Sequence, residues 1–392
     1  MSYGSLYEVV YIFQRGFEII REMDTAMVEV RKVSNETTET YAAFEKQMAQ
    51  VAKEVASTNT ELRNSAADWL RLGESIEDAS TLAKNSAVYV NVGDGIDIDT
   101  ATSDMIIAMR AFNIEASESM KIVDAYNEVG NNFSISAGGI GEVMARSASA
   151  LATANTTFAE SIALGTAMNE QLQDTEQAGS ALKIFSLRIR GVASEIEAMG
   201  ESTDGMITSK SKMQEKIKAY TNVDGMGGFD ILDENGDFKS IAEIAKGLGQ
   251  AFEKMGDIER AGLLELIAGK NRSNAVASLL NNWERIDEVI QSVNESEGSA
   301  LRENAAIVDS VEGRIKILSA TAEEFWTETT SQEGIKNTIT LLTKALELLT
   351  AIVDKAGLFS TLLSVGVGGF AAFNDIGITN VYALHGGNSM SY

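Results

Sequence analysis

Cysteine and proline are both absent from the 392 residues, and histidine occurs once, as His385. Without cysteine there is no disulfide, no thiolate zinc site and no cysteine nucleophile. His385 stands in a Gly-rich stretch, "ALHGGNSM", with no second imidazole to share a metal or a proton, and is expected to be an exposed bystander. Average proline usage would give about twenty in a chain of this length. Proline removes a helix donor and clashes with the preceding turn, so its absence favours long helices. Positive charge is also scarce: 32 Lys and Arg face 57 Asp and Glu, a net charge of −25 that repels phosphate backbones and anionic headgroups. No specific nucleic-acid binding is expected. The opening "MSYGSLYEVVYIF" lacks the basic n-region of a secretory leader and runs straight into an amphipathic pattern.

Apolar residues make up 44% of the chain, enough for a packed core, and they recur at helical spacing. Val10, Phe13, Phe17, Ile20 and Met27 trace one face, interrupted by Asp24, of a helix expected to end near "KVSNETTET". Thr58 with Glu61, Thr157 with Glu160 and Ser240 with Glu243 have the spacing of capping boxes, and Ser75 with Asp78 is a weaker example. Residues 145–168 are mostly Ala, Ser, Thr and Gly, which lets two helix backbones approach closely in a hairpin. Two heptad-like seams follow: Val308, Val311, Ile315, Leu318, Ala322 and Phe325, then Ile335, Ile339, Leu342, Leu346, Leu349 and Val353. They can pair with each other or with copies in other chains. The fold class expected is all-α: an elongated multi-helix array with helical hairpins, coiled-coil segments and one small β-turn insertion. The expected division is a helical core over 1–225, the turn over 226–240, a second helical region over 241–355, an apolar Gly-rich segment over 356–374 and a tail over 375–392.

Three stretches imitate ligand-binding motifs. "FDILDENGDFKS" (229–240) resembles a calcium loop, yet with Gly236 as its sixth residue the anchoring positions fall on Ile231 and Ala242. An Asn-Gly turn joining two short strands explains it better, with Ser240 capping the next helix. In "AGKNRSN" (268–274) the span from Gly262 to Gly269 is too long for a phosphate loop, and Asn271 replaces the magnesium-binding hydroxyl. It reads as a turn from one helix into another. "SAGGIGE" (136–142) lacks the third glycine of a dinucleotide fingerprint and reads as a helix entrance. No catalytic residue, metal ligand or cofactor is assigned, and the chain is not expected to be an enzyme.

The run 356–374, "AGLFSTLLSVGVGGFAAFN", carries no charge and just reaches membrane-spanning length, although four glycines and several hydroxyls weaken it. Two readings stand, a membrane-active segment and a buried Gly-rich helix. On the first, Leu358, Phe359, Leu362, Leu363, Val365, Val367, Phe370 and Phe373 contact the membrane.

Seven pieces stand in a familiar order: "MDTAMVEVRKV" (23–33), "ADWLRLG" (67–73), "AVYVNVGDGID" (87–97), the long stretch from "MRAFNIEASES" to "VMARSASAL" (109–151), "AGSALKIFSLRIRG" (178–191), "DENGDFKSIAEI" (233–244) and "IAGKNRSNAVASLLNNW" (267–283). In that order the chain resembles the core region of tail tape measure proteins of long-tailed bacteriophages. The resemblance implies a structural protein of the virion's tail-tube lumen, made in the bacterial cytoplasm, whose length sets tail length and which leaves ahead of the DNA. It implies tail tube protein, tail assembly chaperones, baseplate or tail-tip proteins and further copies of itself as partners, and contact with the host inner membrane during genome delivery. A helix advances about 1.5 Å per residue, so a chain of this length spans roughly 590 Å if drawn out as one helix. The rival expectation is a membrane-permeabilising α-helical toxin or effector.

Overall fold

The computed structural model describes residues 3–223, 225, 227–329 and 347. Helices α1 (Tyr3–Val33), α2 (Thr38–Glu54), α3 (Asn59–Arg71) and α4 (Ile76–Val92) come first, followed by α5 (Ile98–Phe112), α6 (Met120–Asn132), α7 (Ala137–Thr153), α8 (Phe158–Leu172) and α9 (Thr175–Arg190). Short α10 (Ala193–Ala198) precedes α11 (Lys210–Thr221), α12 (Ile241–Phe252), α13 (Asp257–Asn281), α14 (Arg285–Asn294), α15 (Ser299–Val308) and α16 (Val311–Thr329). The protein is all-α, and no strand occurs among the described residues.

Tyr89–Leu301 forms one compact unit, and the described residues before and after it form another. In the outer unit α1 packs on α3, and α16 packs on α1 and α2. The buried stripe of α1 is Met23, Ala26, Met27 and Val30, while Asp24 points to solvent. Phe44 and Met48 of α2 and Leu62, Ala66 and Trp69 of α3 are buried as well, and α3 packs on both α1 and α2. Gly16 lets the Trp326 ring lie against the α1 backbone, since a Cβ there would stand 2.7 Å from the ring.

The inner unit is organised around α7, which packs against α5, α6, α8 and α9, while α13 covers α8 and α9. The run of small residues at 145–168 lies here as expected, spanning the end of α7 and most of α8. A Cβ at Gly165 of α8 would stand 2.7 Å from Val143 Cγ1, and one at Gly179 of α9 would stand 2.9 Å from the Val143 carbonyl oxygen. The backbones approach as closely as missing side chains allow.

All three capping boxes form: Thr58, Thr157 and Ser240 each accept the N3 amide while Glu61, Glu160 and Glu243 reach back to the cap. At the weaker site the Asp78 amide donates to Ser75 Oγ at 3.0 Å. The turn at 229–240 also forms, but the expected pair of strands contracts to one antiparallel bridge between Leu232 and Phe238. The Asp233 carboxylate explains the contraction: its Oδ1 accepts the amides of Asn235 and Asp237, both at 2.9 Å, as an Asx turn does. Gly236 adopts φ 83°, as the turn requires. Burial opposes ionisation of Asp230, but the Lys218 ammonium, the Leu232 amide and Gln214 outweigh it and hold the carboxyl at about 2. Asp230 and Asp233 therefore bind groups of the protein itself.

"AGKNRSN" lies where Gly269, at φ 68° and ψ 173°, breaks α13 into two helices. The first heptad seam is divided: Val308 ends α15 and Val311 begins α16, with Leu318 buried. The second seam, His385 and the run 356–374 lie outside the described residues.

An alanine in mid-helix is ordinarily worth about 1 kcal/mol over glycine. At Gly179 that sign should reverse, because the new Cβ meets backbone 2.9 Å away and α7 must shift. Urea unfolding of Gly179→Ala should show lower stability than wild type; a gain would mean that the α7–α9 approach is looser than described.

Candidate functional site: buried polar joints

Polar side chains that leave water must be hydrogen-bonded or they destabilise the fold, so buried polar groups mark where helices are held in one relative position. Among the described residues no group of three or more His, Cys, Asp or Glu could hold a metal ion. Four buried polar joints stand out instead.

In the outer unit Arg63 is 4% exposed, and its guanidinium donates to the Met23 carbonyl oxygen at 3.3 Å, tying α3 to α1. The Asn59 amide, first in α3, donates to Glu323 Oε2 of α16 at 2.7 Å. A carboxylate at a helix N-terminus is favoured by the unpaired amides there. Burial nevertheless pushes the Glu323 carboxyl up to about 7, against the downward pull of the Asn59 amide and Arg63. Lys53 and Glu324 add an ion pair between α2 and α16 at 2.9 Å.

In the inner unit, Tyr89 near the end of α4 meets Asp104 of α5 beneath α7. Its hydroxyl lies 3.1 Å from the Ala137 carbonyl oxygen and 3.3 Å from Asp104 Oδ2. Gly141 makes this possible, because a Cβ at that position would overlap both the Asp104 carboxylate and the Tyr89 hydroxyl. The Tyr126 ring packs edge-on to Tyr89, with centroids 5.6 Å apart. Burial pushes the Asp104 carboxyl up to about 6, with Glu142 adding to the rise and the Tyr89 hydroxyl opposing it. A hydroxyl has one proton. When Asp104 is protonated it can donate to Tyr89 while Tyr89 donates to Ala137, and every member of the chain is satisfied. A groove of about 600 Å³, bordered by Asp94, Asp104 and Glu142, gives water a route to the carboxyl.

The third joint holds the start of α15 on α6. Asp124 accepts the Gly298 and Ala300 amides, each at 3.0 Å, one on each carboxylate oxygen. Ser299 Oγ donates to Glu128 at 2.7 Å and accepts from Asn127 at 3.0 Å. At the fourth, Arg188 of α9 lies under the break at Gly269 and donates to the Ser202 carbonyl oxygen at 2.7 Å.

None of these residues was assigned from sequence. The eight residues expected to contact the membrane, from Leu358 to Phe373, lie outside the described residues. Two sequence signals lay near joints: the glycine run of "SAGGIGE", read as a helix entrance, whose Gly141 faces Asp104 while Ser136 caps α7, and "AGKNRSN", whose Gly269 lies against Arg188.

These joints position helices, and the class that the fold defines is an all-α protein. Consistent with that class, the phage-related minor tail protein family is matched over residues 45–269, and the chain belongs to this family. A probable tape measure protein of Halomonas phage phiHAP-1 is 22% identical over 228 residues, covering 57% of this chain and 24% of the relative. The chain thus spans about a quarter of the length of that curated relative. No solved structure matches the chain.

Asp104 and Glu323 both have folded-state values above their ordinary ones, so each favours folding fully below about pH 4 and loses that contribution as pH rises through 6 and 7 respectively. Asp104→Asn mimics the protonated acid and should flatten the pH dependence of unfolding, with a gain on the order of 2 kcal/mol at pH 8. Denaturant titrations at pH 5 and 8 check this; an unchanged slope between the two pH values would rule out Asp104 as a source of the decline.

Proposed function

We propose that this chain works as a tape measure in the tail lumen, setting tail length during assembly and assisting delivery of the genome. The support is membership of the phage-related minor tail protein family together with the likeness to a probable tape measure protein. On this reading the helical regions 1–225 and 241–355 supply the tape, and the role is structural rather than catalytic. The partners are those that tail assembly requires: the tail tube protein around the tape, assembly chaperones before the tube closes, baseplate or tail-tip proteins at one end, and further copies of the chain. The virion is its destination and the bacterial cytoplasm its place of assembly.

Physical support comes from the helices themselves. Their apolar faces, now paired within each unit, are the same faces a straightened helix would offer to another copy. Delivery rests on the apolar run 356–374, where Leu358, Phe359, Leu362, Leu363, Val365, Val367, Phe370 and Phe373 would meet the host inner membrane. Among the described residues no helix is long and apolar enough to cross a membrane.

The test is electron microscopy of tails from a phage whose parent gene lacks codons 241–330 in frame. Tails shorter by roughly 135 Å, the helical rise of the deleted length, are expected. Tails of normal length would remove this region from the ruler.

A further inference from the structure

Asn235 and Gly236 form the single Asn-Gly pair in the chain. The Cγ of an asparagine and the amide nitrogen of the next residue are the ends of a five-membered ring, so a reaction between them is intramolecular. A side chain on that next residue obstructs the ring, and glycine has none. Asn235 is exposed, and a Cβ built at Gly236 would meet no atom within 4 Å beyond its chain neighbours. Water therefore reaches the pair. The turn itself holds the nitrogen back, because the Gly236 amide donates to the Asp233 carbonyl oxygen at 3.1 Å. Asp233 Oδ1 clamps the amides on either side, those of Asn235 and Asp237, both at 2.9 Å. The Asp237 amide, helped by that of Asn235, holds the Asp233 carboxyl below its ordinary value, so the clamp stays ionised in neutral and alkaline solution. From outside the turn, Lys210 Nζ donates to the Gly236 carbonyl oxygen at 2.8 Å.

We propose that Asn235 is a site of spontaneous deamidation, opened to reaction when the turn at 233–237 releases the Gly236 amide. In the open turn a base removes the amide proton and the Gly236 nitrogen attacks Asn235 Cγ. The new N–Cγ bond closes a succinimide, the Cγ–Nδ2 bond breaks, and the leaving nitrogen departs as ammonia after taking a proton from water. Water then adds to one of the two ring carbonyls. Addition at Cγ breaks the new bond and leaves an aspartate. Addition at the main-chain carbonyl carbon breaks the original peptide bond and leaves an isoaspartate, with the chain running through Cβ. Nothing is oxidised or reduced, and water is the only reactant consumed. The isoaspartate adds one carbon to the main chain, so Asp233 Oδ1 no longer reaches the amides of residues 235 and 237 in their former positions. Because the reaction needs the open turn, its rate reads how often residues 233–237 open within the folded chain.

Peptide mapping by mass spectrometry of the full chain, incubated in mildly alkaline buffer, tests the site. The expected result is the mass gain of amide-to-acid conversion at residue 235, with aspartate and isoaspartate products both present. The gain should be slower in the folded chain than in chain unfolded by guanidinium. It should be about tenfold faster in folded Asp233→Ala, which loses both carboxylate hydrogen bonds, and absent in Asn235→Gln, whose ring would need six members. No gain at residue 235 of the folded chain would overturn the proposal. One rate shared by the folded, unfolded and Asp233→Ala chains would overturn it too, since the turn would then exert no control. Should Asp233→Ala fail to fold, the folded-against-unfolded comparison and Lys210→Ala carry the test, and an unchanged rate in both would overturn it equally.

Discussion

A chain without proline has to end its helices with side-chain hydrogen bonds and unusual backbone angles, and the architecture follows from how it does so. Helix starts are met by Thr37, Thr58, Asp97, Ser136, Thr157, Asp174 and Ser240, each accepting an amide that the helix cannot satisfy. Ends are met by left-handed residues, and several are not glycine: Asn113 at φ 52° closes α5 and Gln173 at φ 51° closes α8. Outside glycine, that conformation costs about 1 kcal/mol or more, so it persists only where packing on both sides fixes the chain direction. Short, defined turns then return α8 against α7 and α9 against α8. Gly165 and Gly179 can meet Val143 only because those turns deliver α8 and α9 to α7 at the right height.

The buried joints add what caps alone cannot. Capping fixes where a helix begins, and apolar packing fixes roughly which face is inward, but neither determines how far one helix slides along another. Asp124 does so for α6 and the start of α15, because its two carboxylate oxygens take two particular amides. Hydrogen bonds to a charged group are worth about 1.5–3 kcal/mol each, and leaving the charge buried without them costs more. A displaced register therefore loses more than apolar contacts would. Arg63 on the Met23 carbonyl oxygen does similar work between α1 and α3.

Legibility in the sequence follows the range of the interaction. Capping boxes, the turn at 229–240, the break at Gly269 and the small-residue run were all readable, because each depends on residues within about one turn of one another. The joints were not readable. Asn59 and Glu323 stand 264 positions apart, and nothing in "STNTEL" or "TAEEF" distinguishes these polar residues from ones on a solvated face. Asp104 is equally anonymous until Gly141 and Tyr89 are seen around it. The divided seam at Val308 shows the converse failure: a two-residue turn at Asp309 and Ser310 preserved a step of three, so the period ran on where the helix did not.

On the tape-measure reading, the joints bear on how a folded chain becomes a ruler. Apolar faces are indifferent to partner, and a Leu buried against α2 in one state can be buried against another copy in the next. Polar joints are not exchangeable in this way. Asp124 needs two amides at the start of α15, Arg188 needs the break at Gly269, and a single straight helix supplies neither. Straightening must therefore return these charges to water or give them new partners across chains. That requirement makes the joints the part of the molecule that discriminates the folded form from an extended one.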